Sequence, residues 1–324
     1  MSNPTDKDTL VHIVKELEYL GICKGQVLYV SASFASLLSA SFKAKNLLDA
    51  LIELLGDEGT LIMPTYTQKQ PLWMVYLKLT KYIYNVNTTQ STTGLLPELL
   101  RVKKGSYRSS HPTNSIVSYG KLANKFCSKH NIDSGAYEPF KWISEYGGKF
   151  LFIGLNDSFP GLRHQVQDQA GLLTLINHWQ GVRYYNGKSM LIFHRKDVGG
   201  CTTNSNIMYK ILKNKSMVNK GKLIGLESNL LDAKSTLKIL ANDMIDNLDK
   251  YLCCDRYCSW CRIIERRKHI THNRKHKNSF FCKKLLNFGY SYSIKKMPFS
   301  RSVKFFIIEL CESKKLHKHI NCND

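Results

Sequence analysis

The chain has 324 residues, 43% of them hydrophobic, and a formal net charge of +22. That is apolar material for a sizeable core in one large domain or two smaller ones. No apolar run approaches the roughly 18 residues of a membrane span, and the opening MSNPTDKDTL has no apolar leader, so we expect a cytoplasmic protein whose ten cysteines are reduced.

The charge is uneven. Residues 250–324 hold 18 Lys and Arg against 5 Asp and Glu, which is more than half of the net charge in under a quarter of the chain. Such an asymmetry suits a nucleic-acid or anionic-surface patch, or it reflects the lysine- and asparagine-rich composition of the whole chain.

In chain order, residues 8–20 read as a helix. Leu10, Ile13, Val14, Leu17 and Leu20 share one face, Asp8 or Thr9 can cap it, and Gly21 can stop it. Residues 27–30 read as a short buried strand, which runs into a serine-rich turn, residues 31–41, able to offer donors to an anion or simply to cap a helix. Residues 46–55 predict a second helix and residues 60–67 a strand closed at Pro64. The stretch 68–92, rich in Tyr, Thr and Asn, predicts a long loop or a helical excursion over a pocket. A helix over 95–100 follows, then a dense polar cluster, Arg108-Ser109-Ser110-His111-Pro112, and a strand at 116–117. Arg108 reads equally as an anion clamp or as a solvated arginine.

Residues 149–153 read as a buried strand, and GLNDSFPGLRHQVQD follows it. Its Gly, Asn, Asp, Ser and Pro form an irregular loop, after which His164 appears where the chain re-enters a helix or loop reaching to about Leu175. A titratable group just beyond a central strand is a common place for α/β enzymes to put chemistry, though a packing histidine reads the same way. A strand at 190–193 and a long amphipathic helix from about Leu230 to Leu252 complete the pattern. Alternating strands and helices over residues 1–200 argue for an α/β layer architecture. We find no internal repeat.

Five blocks in this order resemble the aminoglycoside 3-N-acetyltransferase family. They are VLYVSASFASLL; ALIELLGDEGTLIMPTYT; TGLLPELLR with RSSHPTNSIVSYGKLA; GGKFLFIGLNDSFPGLRH; and LIGLESNLLDAKSTL. The resemblance runs from about Leu10 to about Tyr251. It implies a three-layer α/β/α fold with a central mixed sheet over residues 1–252, and leaves 253–324 as a basic, Cys- and His-containing extension.

The resemblance also implies chemistry. It makes His164 the general base that takes a proton from a sugar amine as that amine attacks the thioester of acetyl-CoA, by direct transfer without an acyl-enzyme. Ser31, Ser33, Ser36, Arg108, Ser109, His111 and Ser115 are its implied cofactor contacts. Asp157 and Asp168 are candidates to meet a cationic substrate. The chain departs from the family where Ser31 replaces a histidine, Leu38 a glycine and Gly161 a threonine. Gln167 stands where the family carries the glutamate partner of its catalytic histidine. Asp168, one residue on, shares that face of a helix and is the candidate replacement.

The expected substrate is the 3-amino group of an aminoglycoside. The alternatives are an amino sugar of surface-polysaccharide biosynthesis or, in a different class, nucleic-acid binding through the basic tail. No metal is expected. Zinc held by Cys253, Cys254, Cys258 and Cys261, with His269, His272 and His276 further on, is the lesser reading, because the cysteine spacing lacks a second Cys-x-x-Cys.

Overall fold

The computed structural model describes residues 6–33, 44–172, 180–195, 201, 206–258 and 260–265. Ser36, the histidines after residue 265 and the rest of the basic tail lie outside the described residues.

A seven-stranded mixed sheet carries the architecture. Its strands are β1 (Val27–Ala32), β2 (Thr60–Pro64), β5 (Tyr107–Arg108), β6 (Ile116–Gly120), β7 (Lys149–Ile153), β10 (Asn219–Leu223) and β11 (Leu226–Asp232), in the spatial order β10-β11-β7-β1-β2-β6-β5. β1 runs parallel to both β2 and β7, and the outer strands are antiparallel to their neighbours. Three parallel strands therefore form the centre of the sheet.

The side chains of the central strands alternate as the pleat requires. Tyr29, Phe150 and Phe152 enter an aromatic cluster on one face, while Leu28, Val30, Leu151 and Ile153 enter an aliphatic cluster on the other. On the aliphatic face lie α1 (Asp6–Tyr19), α2 (Ala44–Leu55) and α4 (Leu95–Val102), through residues such as Leu17, Leu51 and Leu100. On the aromatic face lie α5 (Ala123–Lys129), α6 (Glu138–Glu145), α7 (Leu162–Gln169), α8 (Asn206–Asn214) and α9 (Ala233–Asp246), through Phe126, Phe140, Val166, Leu212 and Leu240. Cys253, Trp260, Cys261 and Ile264 pack into this same aromatic-face core.

The expected long helix from Leu230 to Leu252 is corrected. Leu226–Asp232 is a strand whose Leu230 and Leu231 enter opposite clusters. The helix begins only after Asp232, whose side chain accepts from the backbone N–H of Ser235 at 2.8 Å, and it ends at Asp246. A short 3₁₀ turn, Leu248–Tyr251, follows. An N-cap aspartate inside an apolar run set the boundary that periodicity alone missed.

The stretch 68–92 is neither one loop nor one helix. It holds β3 (Gln70–Pro71), α3 (Leu72–Tyr76) and β4 (Ile83–Tyr84). β3 and β4 pair with β8 (Gln180–Tyr185), which also pairs with β9 (Met190–His194), giving a second small sheet. No helix among the described residues is long and apolar enough to cross a membrane.

Candidate active site

The candidate site lies where the parallel strands β1, β2 and β7 end together, the usual ligand crevice of an open α/β sheet. Ser31 stands opposite Phe152 in the register, and the Ser33 backbone N–H donates to the Ile153 carbonyl at 2.9 Å. The end of β1 is thus fastened to the end of β7. Beyond Ile153 the chain makes the loop 154–161. The Asn229 side chain donates to the Asn156 carbonyl there at 3.0 Å. Gly161 closes the loop at φ +81°, and a β-carbon on it would sit 2.9 Å from the Tyr66 hydroxyl and 3.0 Å from the Phe140 ring. Only glycine fits that conformation and that space. The threonine of the family pattern is absent here for this reason.

Three residues after Gly161, His164 projects from the first turn of α7. Its Nδ1 lies 2.8 Å from Oε1 of Gln167. An amide oxygen accepts, so Nδ1 carries the proton and donates; the ring lone pair is on Nε2. The Tyr137 ring lies against the imidazole at 4.8 Å between centroids, and the Tyr137 hydroxyl accepts from Nη2 of Arg195 at 3.0 Å. Burial holds the His164 pKa down to about 4, the Gln167 hydrogen bond works upward against it, and Arg195, Arg163 and Lys69 push it further down. The imidazole is therefore neutral at pH 7. The charged groups that act on it are cations.

Arg195 is 3% exposed, and its Nε and Nη1 have no hydrogen-bond partner among the described residues. Partial burial and Arg195 together lower the Lys69 pKa. Tyr66, Lys69, Tyr137 and Arg195 were not singled out in the sequence. They come from four separate segments, and no spacing along the chain connects them.

The other expected residues fall in three places. Asp168 is exposed, and burial and the charge of Glu138 raise its carboxyl pKa while Lys141 lowers it; Gln167, fully buried, takes the place against the His164 ring. Asp157 is exposed in the loop 154–161 and acts on Lys220 at the β10 edge. The Arg108 cluster is interior. Arg108 donates to the carbonyls of Val86 at 3.3 Å, Thr89 and Thr65 at 3.1 Å, and to Ser115 Oγ at 3.2 Å, with its guanidinium over the Tyr84 ring. Ser115 donates to the Thr65 carbonyl at 2.7 Å, and Ser109 accepts from the Ile116 N–H at 2.9 Å while contacting His130 Nδ1 at 3.0 Å. His111 is fully buried; it stacks on His130 at 4.7 Å, and its Nδ1 accepts from the N–H of Asn114 at 3.0 Å. Of the residues expected to touch the cofactor, the structure brings only Ser31 and Ser33 to the strand ends beside the loop that leads to His164.

The same arrangement of strands and loops is found in known proteins. The family model described as aminoglycoside 3-N-acetyltransferase matches residues 29–244. The chain belongs to this family. Among its relatives, the SPbeta prophage-derived aminoglycoside N(3')-acetyltransferase-like protein YokD of Bacillus subtilis (strain 168) is 30% identical over 140 residues, 39% of this chain and 52% of that protein. The chain thus spans about half the length of that relative. The solved structure of the aminoglycoside acetyltransferase AAC(3)-IVa apoenzyme superposes with a TM-score of 0.64 at 18% identity, over 79% of this chain and 96% of its own. AAC-IIIb, solved as a binary complex with CoASH, gives 0.61 at 19% identity, over 76% and 97%. Within the aminoglycoside 3-N-acetyltransferase family, then, this member shares the fold and carries an amide, Gln167, against its histidine.

Proposed function

We propose that the chain transfers an acetyl group from acetyl-CoA to the 3-amino group of an aminoglycoside, with His164 as general base. The observation that carries this reading is the neutral imidazole of His164, its Nδ1 engaged by Gln167 and its lone pair on Nε2, beside the joined ends of β1 and β7. The amine nitrogen attacks the thioester carbonyl, and a C–N bond replaces the C–S bond. The amine proton passes to His164 Nε2, and the departing thiolate of CoA ends as the thiol. A positioned base contributes roughly 10²–10⁴-fold to such a step. Family membership and the likeness to a CoASH-bound fold support acetyl-CoA as donor. Ser31 and Ser33 are the described residues placed to meet it.

One observation favours a second reading. Arg195 and Lys69 stand by the base, and Gln167 brings no negative charge. Cations near the base oppose a polycationic substrate and suit an amino sugar that carries its own negative charge, such as a nucleotide-linked one.

The test is a CoA-release assay with acetyl-CoA against a panel of aminoglycosides and nucleotide-linked amino sugars. We expect turnover with one class and a loss of roughly 10²-fold or more in kcat for His164→Ala at unchanged acetyl-CoA affinity. A His164→Ala variant as active as the parent removes the base assignment. Turnover confined to nucleotide-linked amino sugars selects the second reading.

A further inference from the structure

The sequence spacing groups Cys253, Cys254, Cys258 and Cys261. The fold groups a different four. The Sγ atoms of Cys201, Cys253, Cys258 and Cys261 all lie within 4.8 Å of one another, whereas Cys254 is exposed. Cys201 follows β9 in the chain and comes from more than fifty positions away, so no local motif announces it.

Several details of the cluster are those of a thiolate cage. Around a tetrahedral zinc with bonds of about 2.3 Å, sulfurs sit about 3.8 Å apart, and Cys253 and Cys261 are 3.4 Å apart. The Cys253 backbone N–H donates to Cys261 Sγ at 3.3 Å, as amides do to metal-bound sulfur. The Cys258 N–H donates to the Asp255 carbonyl at 3.1 Å, closing a turn that leads Cys258 and Cys261 into the helical residues 260–265 as a Cys-x-x-Cys pair. Cys253 and Cys261 are buried, and Cys201 and Cys258 half-buried. Four sulfurs at this mutual distance exceed what one disulfide uses.

A second observation points the same way. Arg163 is 4% exposed and donates from Nη2 to the Tyr251 carbonyl at 3.0 Å, but its Nε and Nη1 have no hydrogen-bond partner among the described residues. The thiol groups of Cys201, Cys261 and Cys253 act on that guanidinium. A buried, half-satisfied cation is costly unless negative charge lies beside it. Neutral thiols supply none. Four thiolates around a divalent ion carry a net charge of about −2, and Arg163 meets it.

We propose that Cys201, Cys253, Cys258 and Cys261 bind one zinc ion as a closed structural site. Binding displaces four protons, one from each thiol, and leaves no open position for chemistry. The ion ties the segment holding Cys201 and the stretch after Tyr251 to the first turn of α7, where Arg163 precedes His164.

The test uses the full chain purified under reducing conditions. Elemental analysis is expected to show about one zinc per chain, and cobalt replacing it to give the intense visible absorption of a tetrahedral cobalt tetrathiolate. Cys258→Ser, at the half-exposed position, is expected to lower the zinc content by more than about half, and Cys254→Ser to leave it unchanged. The proposal is overturned if no transition metal accompanies the reduced protein and added cobalt gives no thiolate absorption. It is equally overturned if Cys258→Ser and Cys201→Ser keep full zinc, or if Cys254→Ser loses it. The metal readouts do not depend on enzyme turnover, so they stand whatever the substrate proves to be.

Discussion

The His164 imidazole donates from Nδ1 to the side-chain oxygen of Gln167, 2.8 Å away on the next turn of α7. An amide fixes the tautomer and the ring orientation as a carboxylate would. It does not stabilise the imidazolium that forms when Nε2 takes a proton. The proposed base is therefore well aimed and weakly basic, with a pKa of about 4.

The pH dependence of the acetyl transfer follows from that value. A general base works in its neutral form, so kcat/KM falls as pH drops through the base's pKa. The acidic limb attributable to His164 is expected near pH 4, leaving the profile flat between about pH 5.5 and 7. Gln167→Glu places a negative charge beside Nδ1–H, raises the imidazole pKa and moves the limb upward by about 1–2 pH units. A pH–rate profile of both proteins checks this; identical limbs would sink the idea.

Asp168→Asn separates the two candidate partners. Asp168 is exposed, while Gln167 touches the ring. We expect Asp168→Asn to keep kcat within about twofold of the parent and Gln167→Ala to lose about tenfold. Steady-state kinetics on both variants decides, and the reverse order would make Asp168 the working partner.

Arg108 is expected to matter for stability rather than for the cofactor. Its donors go to three carbonyls of the segment 65–89 and to Ser115. Arg108→Met orphans those carbonyls and is expected to cost about 3 kcal/mol in urea unfolding, with KM for acetyl-CoA changed less than about threefold. A large rise in KM at unchanged stability would restore the anion-clamp reading.

Acid should weaken the fold before most carboxylates titrate. Burial lowers the His130 pKa to about 3 and that of His111 well below its usual value. Unfolded, both titrate near 6.5. Below about pH 6.5 the unfolded chain therefore binds protons that the folded chain refuses, and stability is lost as pH falls. Between pH 6.5 and 5 the two histidines together remove up to about 4 kcal/mol. Denaturant midpoints measured at half-unit steps across that window test the slope, and a flat series would contradict it.

The central strands and most helices on the aliphatic face were legible because each follows one period cleanly. Val27–Ala32 and Lys149–Ile153 alternate between two cores, and α1 buries Ile13, Leu17 and Leu20 in a row. His164 was legible because five ordered blocks lead to it. What was not legible depends on long-range proximity. Arg195, Tyr137 and Tyr66 reach the base from separate segments, and Cys201 joins three cysteines it never neighbours in the chain. The RSSHP cluster was legible as important but not as interior, since a buried arginine that feeds backbone carbonyls has the same letters as one that waits for a phosphate.

The pairing of β1 with β7 has a consequence for how the protein is made. Ser31 and Phe152 are neighbours in the sheet but more than a hundred positions apart in the chain. During synthesis the first strand must wait, with one long edge open, until the whole of the intervening segment has left the ribosome. The catalytic crevice is then completed late, and a nascent chain stalled short of residue 149 would display an apolar ribbon ready to stick to its neighbours.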